Sequence, residues 1–257
     1  MEGNFQSLKG KSVVVVGTGG IGGAIVRDFL EQGARVFALD KNQKVLNGLK
    51  ANRKLTKVIV DVTKHKNFEA VLQKIGKENC PIKSFVYAAG VGASGQINSF
   101  QDGFPEKLFN LNVLGFIYGL KYILPFLSEG SSATAISSIN AYRSEHGMAV
   151  YDSTKAALLQ YVRTASVDLG QQGIRVNAVA PGYIRTPQTE KELEDPANLA
   201  KIVSATSLYR IGEPEDVSPI VVALASDDFR FVTGACIEIS GGLAQAQYPP
   251  MNKQENI

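Results

Sequence analysis

The chain has no tryptophan, and its 257 residues include only two cysteines, two histidines and three methionines. Cys80 and Cys236 are too far apart in sequence to form a redox dithiol motif or a metal-ligand pattern. His65 and His146 have no Cys, Asp or Glu cluster around them, so no metal site is expected. An excess of either charge is also missing. Twenty-seven basic residues against 24 acidic ones give +3, which does not argue for a nucleic-acid partner. The basic run of Lys41, Lys44, Lys50, Arg53, Lys54 and Lys57 reads as a solvated face. The apolar stretch 116–127 is interrupted by Lys121 and Pro125 and is short for a bilayer. The N-terminal residues lack the basic start and long apolar segment of a signal peptide. These absences predict a cytoplasmic protein with no membrane partner.

With 44% hydrophobic and 20% charged residues, the composition is that of an ordinary globular chain. Its pattern alternates strand and helix. Ser12 to Val16 is a β-branched apolar run, as in a parallel strand covered on both faces. Further strands are expected at 34–39, 57–62, 83–88, 133–137, 175–179 and 235–239. Helices are expected at 20–32, around Phe68–Val71–Leu72–Ile75, at 105–127, through Tyr151 and after Glu215. Repeated βα units predict an α/β protein: a single doubly wound Rossmann-type domain over 1–257 with a mostly parallel, seven-stranded sheet. The long irregular stretch 183–214 predicts a flexible substrate loop at about 185–213, and a tail follows from about 243 to 257.

Gly17-Thr18-Gly19-Gly20-Ile21-Gly22 follows the first strand and opens a helix. Such a turn lets a pyrophosphate approach the backbone and presents helix N–H groups to it. Asp40 ends the second strand, where a carboxylate can accept hydrogen bonds from a ribose diol and repel a 2′-phosphate. The pair predicts dinucleotide binding, with NAD favoured over NADP; Lys41, next to Asp40, is the feature pointing the other way. Tyr151 and Lys155 lie four apart on a helix, so phenol and ammonium share a face. A nearby cation is expected to lower the tyrosine pKa toward the working range.

Together these residues resemble the short-chain dehydrogenase/reductase family over nearly the whole chain. Ser138, Tyr151 and Lys155 match its catalytic motif, and Asn112 matches its catalytic asparagine. Asp61-Val62 is similar to its adenine contact, Pro181-Gly182-Tyr183-Ile184-Arg185-Thr186 to its nicotinamide-side turn, and Ser240-Gly241-Gly242 to a C-terminal landmark. Two features depart from the family pattern. The glycine loop is one residue shorter, and Tyr87-Ala88-Ala89-Gly90 replaces Asn-Asn-Ala-Gly.

The resemblance implies hydride transfer between NAD(H) and a secondary alcohol or ketone. Tyr151 would be the acid–base, Lys155 would depress its pKa, Ser138 would orient the substrate oxygen and Asn112 would anchor a proton-relay water. It assigns Gly17, Gly19, Ile21, Gly22, Asp40, Asp61, Val62, Ala89, Gly90, Tyr151, Lys155, Pro181, Gly182, Ile184 and Thr186 to the cofactor. Asn140, His146 and Tyr183 are the expected substrate contacts, for a sugar, polyol or cyclic-diol type of molecule. A homo-oligomer, tetramer or dimer, is also implied. Two alternatives remain: an NADPH-dependent 3-oxoacyl or other ketone reductase, and a non-catalytic NAD-binding sensor.

Overall fold

The structure is a computed structural model that describes residues 5–243. Seven strands form one all-parallel sheet in the order β3-β2-β1-β4-β5-β6-β7. They are β1 (Ser12–Val16), β2 (Arg35–Asp40), β3 (Leu55–Ile59), β4 (Ile82–Tyr87), β5 (Ser132–Ile136), β6 (Arg175–Pro181) and β7 (Cys236–Ile239). Every residue of β1, β5 and β6 is buried. Helices covering both faces of the sheet leave no side of these strands wet, so their sequences run apolar or small instead of alternating.

The helices are α1 (Gly20–Glu31), α2 (Gln43–Gly48), α3 (His65–Asn79), α4 (Phe104–Phe109), α5 (Gly115–Ile123), α6 (Ala149–Gly170), α7 (Glu190–Leu193), α8 (Pro196–Ala205) and α9 (Pro214–Ala225). One core layer joins Phe68, Leu72, Phe85, Phe116, Leu120 and Leu158; the other joins Ile25, Phe29, Val36, Val179, Val217 and Val221. The sheet lies between the two layers, which gives the two-faced arrangement expected of repeated βα units.

Several sequence expectations need correcting. The stretch 183–214 is not irregular throughout, because it contains α7 and α8. Asp195 caps α8, its carboxylate accepting from Ala197 N at 3.0 Å, with Pro196 in the first turn. Strand β3 starts and ends earlier than 57–62, since its register is set by Val36 pairing with Leu55. The helix expected at 105–127 changes register within the π turn Asn110–Leu114. The combined helical run Phe104–Phe126 is long and apolar enough, by composition alone, to cross a membrane. Burial of Leu108, Val113, Phe116, Leu120 and Ile123 makes it a core helix of this fold. The expected C-terminal tail lies outside the described residues, apart from its first residue, Leu243.

Candidate active site

Strands β1 and β4 are neighbours in the sheet, and the connections leaving them run to opposite sides. A crevice therefore opens at their C-terminal ends. The cleft there is about 290 Å³ and is lined by Gly17, Gly19, Ile21, Asp40, Asp61, Val62, Ala89, Gly90 and Thr186, all predicted from sequence. Gly17 has φ +80°, and a Cβ there would lie 2.4 Å from Ala89 N, so the turn admits only glycine. Gly22 is buried beneath the cleft, donating its N–H to Gly19 O at 2.9 Å.

Asp40 is held before any ligand arrives. Its Oδ2 accepts from Thr18 N at 2.8 Å and Thr18 Oγ1 at 3.3 Å, and its Oδ1 accepts from Asn42 N at 2.9 Å. The shortened glycine loop is thus tied to the end of β2 through Thr18. Asp61 Oδ1 accepts from Thr63 N and Thr63 Oγ1, at 2.9 and 2.7 Å. Partial burial works to raise the Asp61 pKa. The Thr63 hydrogen bonds, together with Lys41 and Lys64, outweigh it and hold the carboxyl below its ordinary range.

A second pocket of about 150 Å³ adjoins the cleft. Ser138, Tyr151, Lys155, Pro181, Gly182, Ile184 and Thr186 line it, and Ile21, Ala88, Gly90, Thr186 and Gln188 wall both spaces. Lys155 is buried, donates from Nζ to Ile136 O at 3.0 Å, and sits 5.6 Å from the Tyr151 ring centroid. Burial lowers its pKa to about 8. The expected lowering of the Tyr151 pKa is not seen. Burial pushes the phenol up, the Ser138 hydroxyl opposes that shift, and the charges of Asp152 and Glu145 add to it. The Lys155 ammonium lies over the ring and is tied to Ile136.

Asn112 is fully buried and lines neither space. Its Oδ1 accepts from Val91 N at 2.9 Å, while its Nδ2 donates to Val91 O at 3.0 Å and Thr154 Oγ1 at 3.1 Å. The amide is therefore committed to protein partners and fixes the chain after β4. Asn140, His146 and Tyr183 do not line the second pocket. Asn140 donates from Nδ2 to Asp152 Oδ1 at 2.8 Å and to Glu145 Oε2 at 3.2 Å. His146 is exposed, and the Tyr183 hydroxyl donates to Glu192.

Sequence reasoning missed Gln188 and Thr189 on the pocket wall and Val45 on the cleft wall, where Lys41, flagged beside Asp40, also stands. Proximity to Thr186 was the available signal for the first pair, and proximity to Asp40 for Val45.

A family model described as "Enoyl-(Acyl carrier protein) reductase" matches residues 15–244. The chain belongs to the short-chain dehydrogenase/reductase family. It is 30% identical to the 3-oxoacyl-[acyl-carrier-protein] reductase FabG of Thermotoga maritima, over 92% of this chain and 98% of that one. It is 32% identical to the NADP-dependent (R)-specific alcohol dehydrogenase of Lentilactobacillus kefiri, over 91% and 97% of the two chains. The ligand-free structure of Thermoplasma acidophilum aldohexose dehydrogenase superposes with a TM-score of 0.88 at 30% identity, covering 96% of this chain and 100% of that one. As a short-chain dehydrogenase/reductase, the protein is an oxidoreductase of alcohols and ketones that binds NAD(P).

Proposed function

We propose that the protein is an NAD-dependent secondary-alcohol dehydrogenase or ketone reductase acting on a polar, hydroxylated substrate. The observation that carries this reading is the shared wall. Tyr151, Lys155 and Ser138 converge on a pocket that opens directly onto the dinucleotide cleft.

The glycine turn, with Gly17 pressed against Ala89, fits a pyrophosphate lying on bare backbone. Asp61 and Val62 would hold the adenine, Asp40 the ribose diol, and Ile184 and Thr186 the nicotinamide end. When bound, the dinucleotide supplies or accepts the hydride. Tyr151 gives its phenol proton to the carbonyl oxygen during reduction and takes the alcohol proton during oxidation. Lys155 carries its charge at neutral pH and stabilises the phenolate that reduction leaves. Ser138 donates to the same substrate oxygen and holds it beside the phenol. Asn112 acts from behind, keeping Val91 and Thr154 in place.

Asp40 supports NAD, because its fixed carboxylate would face a 2′-phosphate. Lys41 on the same wall supports the second reading, an NADPH-dependent ketone reductase. A polar substrate is supported by Gln188 and Thr189 on the pocket wall. Similarity to an aldohexose dehydrogenase points the same way. Retention of both Tyr151 and Lys155 favours an enzyme over a sensor. Family membership supports a homo-oligomeric assembly, dimer or tetramer.

The test is a panel of sugars, polyols, cyclic diols and simple ketones assayed with NADH, NAD, NADPH and NADP. Turnover of a polar substrate with NAD(H), abolished in Tyr151→Phe, is the expected result. Activity retained in that variant, or none on any substrate, would sink the assignment.

A further inference from the structure

Tyr87 occupies a position in β4 where an amide would be expected from the family pattern. Its side chain is fully buried, and its hydroxyl donates to the Leu111 carbonyl at 2.6 Å. Leu111 lies in the π turn Asn110–Leu114, between α4 and α5. In an uninterrupted α-helix the Gly115 N–H would pair with the Leu111 carbonyl, four residues back. Here it pairs with the Asn110 carbonyl, five residues back. The change of register takes from Leu111 its α-helical donor, and the Tyr87 hydroxyl supplies another. A buried carbonyl without a donor is costly, so this bond favours the π register over the α one.

Gly115 completes the fit. A Cβ at that position would lie 1.9 Å from the Tyr87 hydroxyl oxygen, so only glycine leaves room for the phenol. Asn112 sits in the middle of the turn, clamping Val91 and Thr154, and Thr154 immediately precedes Lys155. A slip back to the α register would rotate Asn112 by about 100° on its helix and break this clamp.

We infer that Tyr87 is a positioning residue for the reaction. Its hydroxyl, fitted into the space left by Gly115, fixes the π turn and through it Asn112, Val91 and the Thr154–Lys155 segment. The inference rests on the dehydrogenase reading for its kinetic consequence, but not for its structural one.

Tyr87→Phe removes one oxygen and keeps the ring packed against Phe116, whose centroid lies 5.9 Å away. Steady-state kinetics on the best substrate of the panel should show kcat reduced about tenfold, a difference of about 1.4 kcal/mol in barrier. KM and the dissociation constant for NADH should stay within about twofold. Asn112→Ala should reduce kcat, and adding Tyr87→Phe to it should change kcat by less than about twofold, because both act through the same turn. Hydrogen exchange of the amides of residues 112–116 should accelerate in Tyr87→Phe. Full kcat with only a lower Tm, or independent effects in the double variant, would overturn the positioning role. If the wild type turns over no substrate, the dehydrogenase reading falls and hydrogen exchange alone decides. Unchanged protection in the turn then overturns the inference, and faster exchange supports it.

Discussion

The Gln188 side-chain amide donates to the Gly90 carbonyl at 3.2 Å, joining positions 98 residues apart across the mouth of the cleft. At the opposite rim the Thr186 methyl packs so closely on Gly20 that a Cβ there would lie 2.9 Å from it. Residues 186–188 therefore form a strap that touches both sides of the space where the dinucleotide is proposed to lie. An exposed hydrogen bond of this kind is worth about 0.5–1.5 kcal/mol, or roughly a 2- to 10-fold change in an opening equilibrium. In Gln188→Ala, association and dissociation of NADH should both accelerate by several-fold, while the dissociation constant shifts less than either rate. Stopped-flow fluorescence of the bound nicotinamide, excited directly, can follow both rates. Unchanged rates would show that the strap does not gate entry.

The contrast between Gln188 and Tyr151 shows what a sequence can and cannot reveal. Strands β1, β2, β4, β5 and β6 were legible because burial on both faces demands continuous apolar or small residues. The glycine turn was legible because its spacing is fixed by local geometry. Tyr151 and Lys155 share a helix face, so their proximity follows from a short-range rule. Gln188 has no such rule, since its partner Gly90 is reached only after the whole sheet has formed. Helices α7 and α8 were missed because the charged run from Glu190 to Asp195 dominates the start of the segment, although Leu199, Ile202 and Val203 follow at helical spacing and Asp195-Pro196 was a usable start signal. The π turn was also hidden, since Asn110-Leu111-Asn112-Val113-Leu114 continues an ordinary helical pattern. The direction of the Tyr151 shift could not be read either, because it depends on burial and on where the Lys155 ammonium points.

Asp40 does two jobs that substitution can separate. Its negative charge faces the proposed ribose site, while Oδ2 anchors Thr18 in the glycine loop. Asn at this position keeps an acceptor for Thr18 N but removes the charge. Asp40→Asn should therefore shift the NADH-to-NADPH ratio of kcat/KM toward NADPH by roughly 10–100-fold, since like charges about 4 Å apart repel by a few kcal/mol at an effective dielectric near 20. Asp40→Ala should also lose the anchor, so NADH affinity itself falls. Measurement of both constants for both coenzymes distinguishes the two effects; an unchanged ratio in Asp40→Asn would remove this carboxylate from coenzyme selection.

Lys155 should leave a signature in stability as well as in activity. Its pKa is depressed to about 8 in the folded protein, against an ordinary lysine value of 10.5, and burial is the cause. Between these values the unfolded chain holds the proton that the native chain has released, so unfolding takes up a proton and stability rises with pH. Below pH 8 both states are charged, and the native protein carries the full cost of burying the ammonium. The wild type should thus gain stability relative to Lys155→Met as pH climbs from 8 toward 10, by an amount on the order of 3 kcal/mol if the whole shift is realised. Urea unfolding of the nucleotide-free proteins at a series of pH values gives the difference directly, and titrations common to both proteins cancel in it. A difference that stays flat, or that falls with pH, would mean that the ammonium is not buried at this cost.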